Sequence, residues 1–101
     1  MNLLHKFRMF FGKEKLVSAI KRTTKLLDQS EDSDWSSLSA EEIKQILEQE
    51  LNNIAQNKGF NKVELAVLYA PTGAIQETAM VNGWDEEYLK IAEIIDKFTG
   101  R

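Results

Sequence analysis

The residue types that could carry acid–base chemistry in this chain are carboxylates. Sixteen of the 101 residues are Asp or Glu, against one histidine, His5, and no cysteine. Paired carboxylates are what proton-transfer catalysis would use, and Glu41/Glu42, Glu86/Glu87 and Asp32/Asp34 lie close in sequence. The first two pairs fall at expected helix starts, where an acid complements the helix dipole, and the third falls in a polar loop. Structural roles account for all of them. Glu77 differs, because the strand register described below sets its charge beside Val67 on an apolar face: it is a pocket acid, or it lies at the rim of that face, or the register is displaced by one residue.

No other catalytic constellation forms. A lone histidine near the terminus argues against a Ser-His-Asp triad. Without cysteine there is no disulfide and no cysteine-based zinc or iron–sulfur site. Pro71-Thr72-Gly73-Ala74 lacks the other glycines and the lysine of a phosphate loop. Asp28, Glu31, Asp32 and Asp34 lack the central glycine and terminal glutamate of a calcium loop. The expectation is a non-enzymatic chain with no cofactor and no metal.

Binding chemistry remains. Trp35 stands in the acidic run 28–38 (DQSEDSDWSSL), directly after Glu31, Asp32 and Asp34. Exposed tryptophans are favoured interface anchors, and no local packing role explains this one, which is either such an anchor or a lid on the core; Trp84, by contrast, is placed as a staple for the last helix. Leu3, Leu4, Phe7, Phe10 and Phe11 share a helical stripe about 120° wide, with His5, Lys6 and Arg8 opposite. Such a basic amphipathic segment packs on its own domain, enters a partner's groove through Phe7 and Phe10, or lies on an anionic membrane.

The net charge of −3 combines a basic head with an acidic body. Residues 1–25 carry seven bases and one acid, and residues 26–57 carry eight acids and Lys44. Nucleic acid is disfavoured, since the acidic body repels phosphate and the phenylalanines belong to the apolar stripe. No stretch approaches the roughly 20 apolar residues of a transmembrane helix. Lys6 and Arg8, with no cleavage site after them, argue against a secretion signal. The expected location is cytoplasmic.

Periodicity sets the elements that must position these residues. A helix is expected over about 13–28, with Leu16, Val17, Ile20 and Leu27 on one face. An unbroken helix through Gly12 would turn this face about 150° from the stripe of the first eleven residues. The chain therefore breaks near Gly12, or residues 1–12 form a separate segment with other contacts. Ser39 and Glu42 form a capping box, Leu38 and Ile43 a hydrophobic staple. The helix they start carries Ile43, Ile46, Leu47, Leu51 and Ile54, and stops at Gly59 with Phe60 folded back on Ile54.

From 62 to 70 the pattern alternates, with Val63, Leu65, Val67 and Tyr69 on one face. That predicts a strand, a three-residue turn at Pro71-Thr72-Gly73, and a return strand over 74–81. Asp85 is expected to cap a last helix bearing Tyr88, Ala92, Ile95 and Phe98, ended by Gly100. The expected fold is one α+β domain over 1–101, with N-terminal helices, a central β-hairpin at about 62–81 and a C-terminal helix, in the order α(α)αββα. A two-stranded sheet leaves both edges unpaired. Either another chain completes it, as a homodimer through the hairpin edge or by strand addition from a different protein, or a third short strand from 28–38 or the helices themselves cover the hairpin.

These features predict a small cytoplasmic protein-binding module of inhibitor, immunity-type or adaptor character. Trp35, Glu31, Asp32, Asp34, Phe7, Phe10 and Glu77 are its candidate contacts with another protein. The alternatives are a peripheral membrane protein anchored by Met1–Phe11 and a small-molecule binder using Glu77 and Tyr69 across the hairpin.

Overall fold

A computed structural model describes residues 12–100. Its helices are α1 (Glu14–Asp28), α2 (Ala40–Ala55), α3 (Lys62–Leu68), α4 (Ala74–Asn82) and α5 (Asp85–Thr99), and the described residues contain no strand. The expected α+β class, with its hairpin over 62–81 and order α(α)αββα, is therefore corrected to an all-α fold. The amphipathic stripe of Met1–Phe11, including Phe7 and Phe10, lies outside the described residues.

The local signals at the other helices act as their chemistry dictates. Gly12 takes a left-handed φ of +80°, and α1 begins two residues later. At α2 the capping box forms in both directions: the Glu42 N–H donates to Ser39 Oγ at 3.0 Å, and the Ser39 N–H donates to Glu42 Oε1 at 2.9 Å. The stop comes earlier than Gly59. Asn57 takes the left-handed position with φ 60°, its N–H bonds the Ile54 carbonyl, and the Lys58 N–H bonds the Asn53 carbonyl, completing a Schellman motif. Trp84, rather than Asp85, occupies the N-cap of α5, and Asp85, Glu86 and Glu87 fill its first turn.

The correction at 62–81 has a geometric cause. Asn61 caps α3, its Oδ1 accepting the Glu64 N–H at 2.9 Å. On a helix, Val63 and Val67 stand about 40° apart, as do Leu65 and Tyr69, and the two pairs are about 200° from one another. Two i,i+4 pairs offset by two residues reproduce the alternation of a strand. The helix buries Leu65 and Leu68, with Tyr69 just after it, and leaves Val63 and Val67 at 74% and 65% exposure. In α4, Ile75, Thr78 and Ala79 are buried at helical spacing.

Pro71-Thr72-Gly73 thus joins two helices. The left-handed residue is Thr72, with φ 62°, and not the glycine. Gly73 has an ordinary φ of −80° and is needed for space, because a Cβ there would meet the Val67 and Ala70 carbonyl oxygens at 2.8 Å. With no sheet there is no open edge, so the expected homodimer through a hairpin edge loses its structural basis.

α1 packs on α2 and α5, while α3 and α4 pack on α5, and α4 also touches α2. Leu16, Ile20, Ile43, Leu47, Ile54, Leu65, Ile75 and Ile95 are fully buried between them. A buried polar chain joins three of the elements. The Tyr69 hydroxyl donates to Thr23 Oγ1 at 2.7 Å, Thr23 donates to the Ala19 carbonyl, and the Tyr88 hydroxyl donates to the Tyr69 carbonyl at 2.7 Å. Among the described residues no helix is long and apolar enough to cross a membrane.

Candidate protein-binding surface

The loop between α1 and α2 is held at several points. The Glu31 N–H donates to Asn82 Oδ1 and the Glu31 carbonyl accepts from Asn82 Nδ2, both at 2.8 Å, which clamps the loop to the end of α4. Trp84 Nε1 donates to Ser30 Oγ at 2.9 Å. Asp32 Oδ1 accepts the Ala40 N–H at 2.8 Å, adding a second cap to α2. Ser33 is buried; its Oγ accepts the Trp35 N–H and its carbonyl accepts the Ser36 N–H. Ser36 Oγ donates to the Leu38 carbonyl. These bonds fix the backbone on both sides of Trp35, whose side chain is nevertheless 82% exposed.

Trp35 and Ser36–Leu38 form one wall of a cleft of about 250 Å³, and Val67, Leu68 and the Thr72–Ala74 turn form the other. Val67 also lines a shallower depression of about 360 Å³ with Val63, Ala66, Ala70, Lys62 and Thr99. Because Val67 is common to both, an apolar strip runs from Trp35 across Val67 to Val63. Lys62 is the only titratable side chain among the described residues lining either depression.

The expected contact residues separate in the structure. Trp35 and Asp34 are exposed at the loop tip. Glu31 is exposed beyond its clamped backbone, whereas one oxygen of Asp32 is engaged in capping α2. Glu77 sits half-buried in the first turn of α4 and not on a hairpin face beside Val67. Tyr69 is 1% exposed and bonded inward, so the pocket imagined between it and Glu77 has no counterpart. Phe7 and Phe10 lie outside the described residues. Sequence reasoning placed Val63 and Val67 on a buried strand face; their i,i+4 spacing after the Asn61 cap was the available signal.

Glu50 was also missed. It falls on the apolar face of α2 with Ile43, Leu47 and Ile54 and is only 2% exposed. Its Oε1 accepts the Asn61 N–H at 3.0 Å, while Oε2 is buried and meets no donor. Burial pushes its carboxyl up to about 7; the adjacent Glu64 carboxyl adds to this and the Asn61 N–H opposes it. Burial likewise raises the Tyr69 hydroxyl, with the bond to Thr23 opposing. Lys44 is raised by its hydrogen bond and ion pair with Asp28, at 2.6 Å.

Among the described residues no three His, Asp or Glu side chains converge as a metal site would require. The arrangement offers an apolar contact strip with a rigid aromatic tip and an acidic margin at Glu31 and Asp34. Comparison with protein-family models, with curated proteins and with solved structures finds no match.

Proposed function

We propose that the chain is a non-enzymatic, cytoplasmic protein-binding module of inhibitor or adaptor type, whose partner docks on Trp35 and the Val67–Val63 strip. The observation that carries this reading is an 82% exposed tryptophan on a loop fixed by hydrogen bonds to both its helical neighbours and α4. A rigid Trp loses little conformational freedom on binding and buries about 200 Å² of its own surface. The acidic residues beside it, Glu31 and Asp34, suit a partner pocket with a basic rim.

A photo-crosslinking residue at position 35, introduced into the full chain in its native cells, tests the reading. A discrete protein adduct that disappears with Val67→Asp is the expected result. Adducts no more abundant than those from a probe at Leu89, an exposed position on α5, would overturn it.

A further inference from the structure

The cations of α1 do not fold onto the acidic body of the chain. Lys15, Lys21, Arg22 and Lys25 fall within about 120° of the α1 circumference, and all are exposed. Lys90 and Lys97 are exposed on α5, which packs on α1. Among the described residues the ion pairs are Arg22–Glu87 and Lys44–Asp28, so the lysines of this face keep their charge unpaired.

Four of these cations edge a groove of about 400 Å³ between α1 and α5. Its floor is apolar, with Ala19 from α1 and Ile91, Ile94 and Phe98 from α5. Ala19 and Ile91 are buried and the other two half-buried, so the floor is recessed. Lys15 marks the α1 edge, and Lys90 and Lys97 mark the α5 edge. Arg22 Nε donates to Glu87 Oε1 at 2.9 Å, which ties the two walls together and neutralises the one acid of the rim. From Glu87 to Phe98 the α5 wall runs about 16 Å, or roughly three helical turns.

We propose that this groove is a second docking site and takes an acidic amphipathic helix of a partner protein. The helix seats an apolar ridge on the recessed floor, with carboxylates on Lys15 along one flank and on Lys90 and Lys97 along the other. A second copy of this chain supplies no such helix among the described residues. The exposed face of α2 is acidic but polar throughout, with Glu41, Gln45, Glu48 and Asn52, and the outer face of α5 offers Leu89 alone between Glu86 and Glu93. A bilayer is flat and does not reach a recessed floor. Nucleic-acid phosphates would engage the lysines but leave the floor unused, and Phe98, the one ring of the groove, is half-buried rather than open to a base.

Titration of the full, isotope-labelled chain with a synthetic peptide tests the proposal. The groove shares no lining residue with the Trp35–Val67 cleft, so the result is independent of the reading above. The probe is a helix of about three turns with Leu along one face and Glu on both flanks, and its control holds the same residues scrambled so that the faces are lost. Saturable amide shifts at residues 15–22 and 87–98, with 31–36 unmoved, are the expected result for the probe. Reversing both exposed lysines of the α5 edge, Lys90→Glu with Lys97→Glu, should weaken binding by about tenfold or more at unchanged Tm. Ile94→Ala should weaken it while leaving the salt dependence in place. No saturable shift at millimolar peptide, equal binding by the scrambled control, or shifts centred elsewhere would each overturn the proposal. Stronger perturbation of the same amides by a single-stranded oligonucleotide or by phosphatidylserine vesicles would also overturn it, by assigning the lysines to phosphate.

Discussion

Glu50 is the residue whose chemistry most constrains the molecule, and its effect on stability has a definite sign. The folded state holds its proton up to about pH 7, while an unfolded glutamate releases it near the ordinary 4.5. Between those values the native state binds more protons than the unfolded one, so stability falls as pH rises and levels off above about 7. At 1.36 kcal/mol per unit the total is on the order of 3 kcal/mol. Urea titrations at low and high pH should show this slope in the wild type, and Glu50→Gln should be flat and more stable than wild type at pH 8. Gly73 makes a second residue-scale prediction. A methyl group 2.8 Å from two carbonyl oxygens forces the α3–α4 turn apart, and Gly73→Ala should cost about 2 kcal/mol in the same titration. The need for glycine at this turn was legible in the sequence. Its reason was not, since turn chemistry suggests a left-handed φ whereas the structure places that φ on Thr72 and uses Gly73 for close approach.

At the scale of elements, helices whose ends are written locally were legible and those defined by their neighbours were not. The Ser39–Glu42 box works within four residues and needs nothing from the rest of the chain. Segments 62–68 and 74–82 are too short for 3.6-residue periodicity to outweigh an accidental alternation, and the valines of α3 add a β-like composition on a face that is exposed. The Thr23–Tyr69–Tyr88 chain then holds α3 against α1 and α5. Tyr69→Phe removes the bond to Thr23 in a dry site and should destabilise by about 1–2 kcal/mol, measured by thermal unfolding. The loop before α2 depends on side chains distant in sequence. Asn82→Ala removes both clamps on Glu31, and backbone relaxation at residues 31–36 should report faster motion in that variant while α2 stays rigid.

At the scale of the whole molecule, stability and binding are carried by different surfaces. Trp35 is almost free of the core, so Trp35→Ala should change stability by no more than about 0.5 kcal/mol. The same substitution should weaken partner binding by about 2 kcal/mol or more, as for an interface anchor; calorimetric unfolding and titration of the captured partner read the two effects separately. The amino-acid sequence by itself determined α1, α2 and α5, the placing of Trp35 in an acidic loop and the lack of cysteine chemistry. Each follows from residues within a few positions of one another. Only the tertiary structure decided that 62–68 and 74–82 are helical, that Val63 and Val67 face outward, and that Glu50 is buried with its Oε1 on the Asn61 N–H. The reason is physical: a short segment takes the conformation that buries its largest apolar side chains, and a carboxyl takes the ionisation its neighbours permit. Both are set by residues distant along the chain.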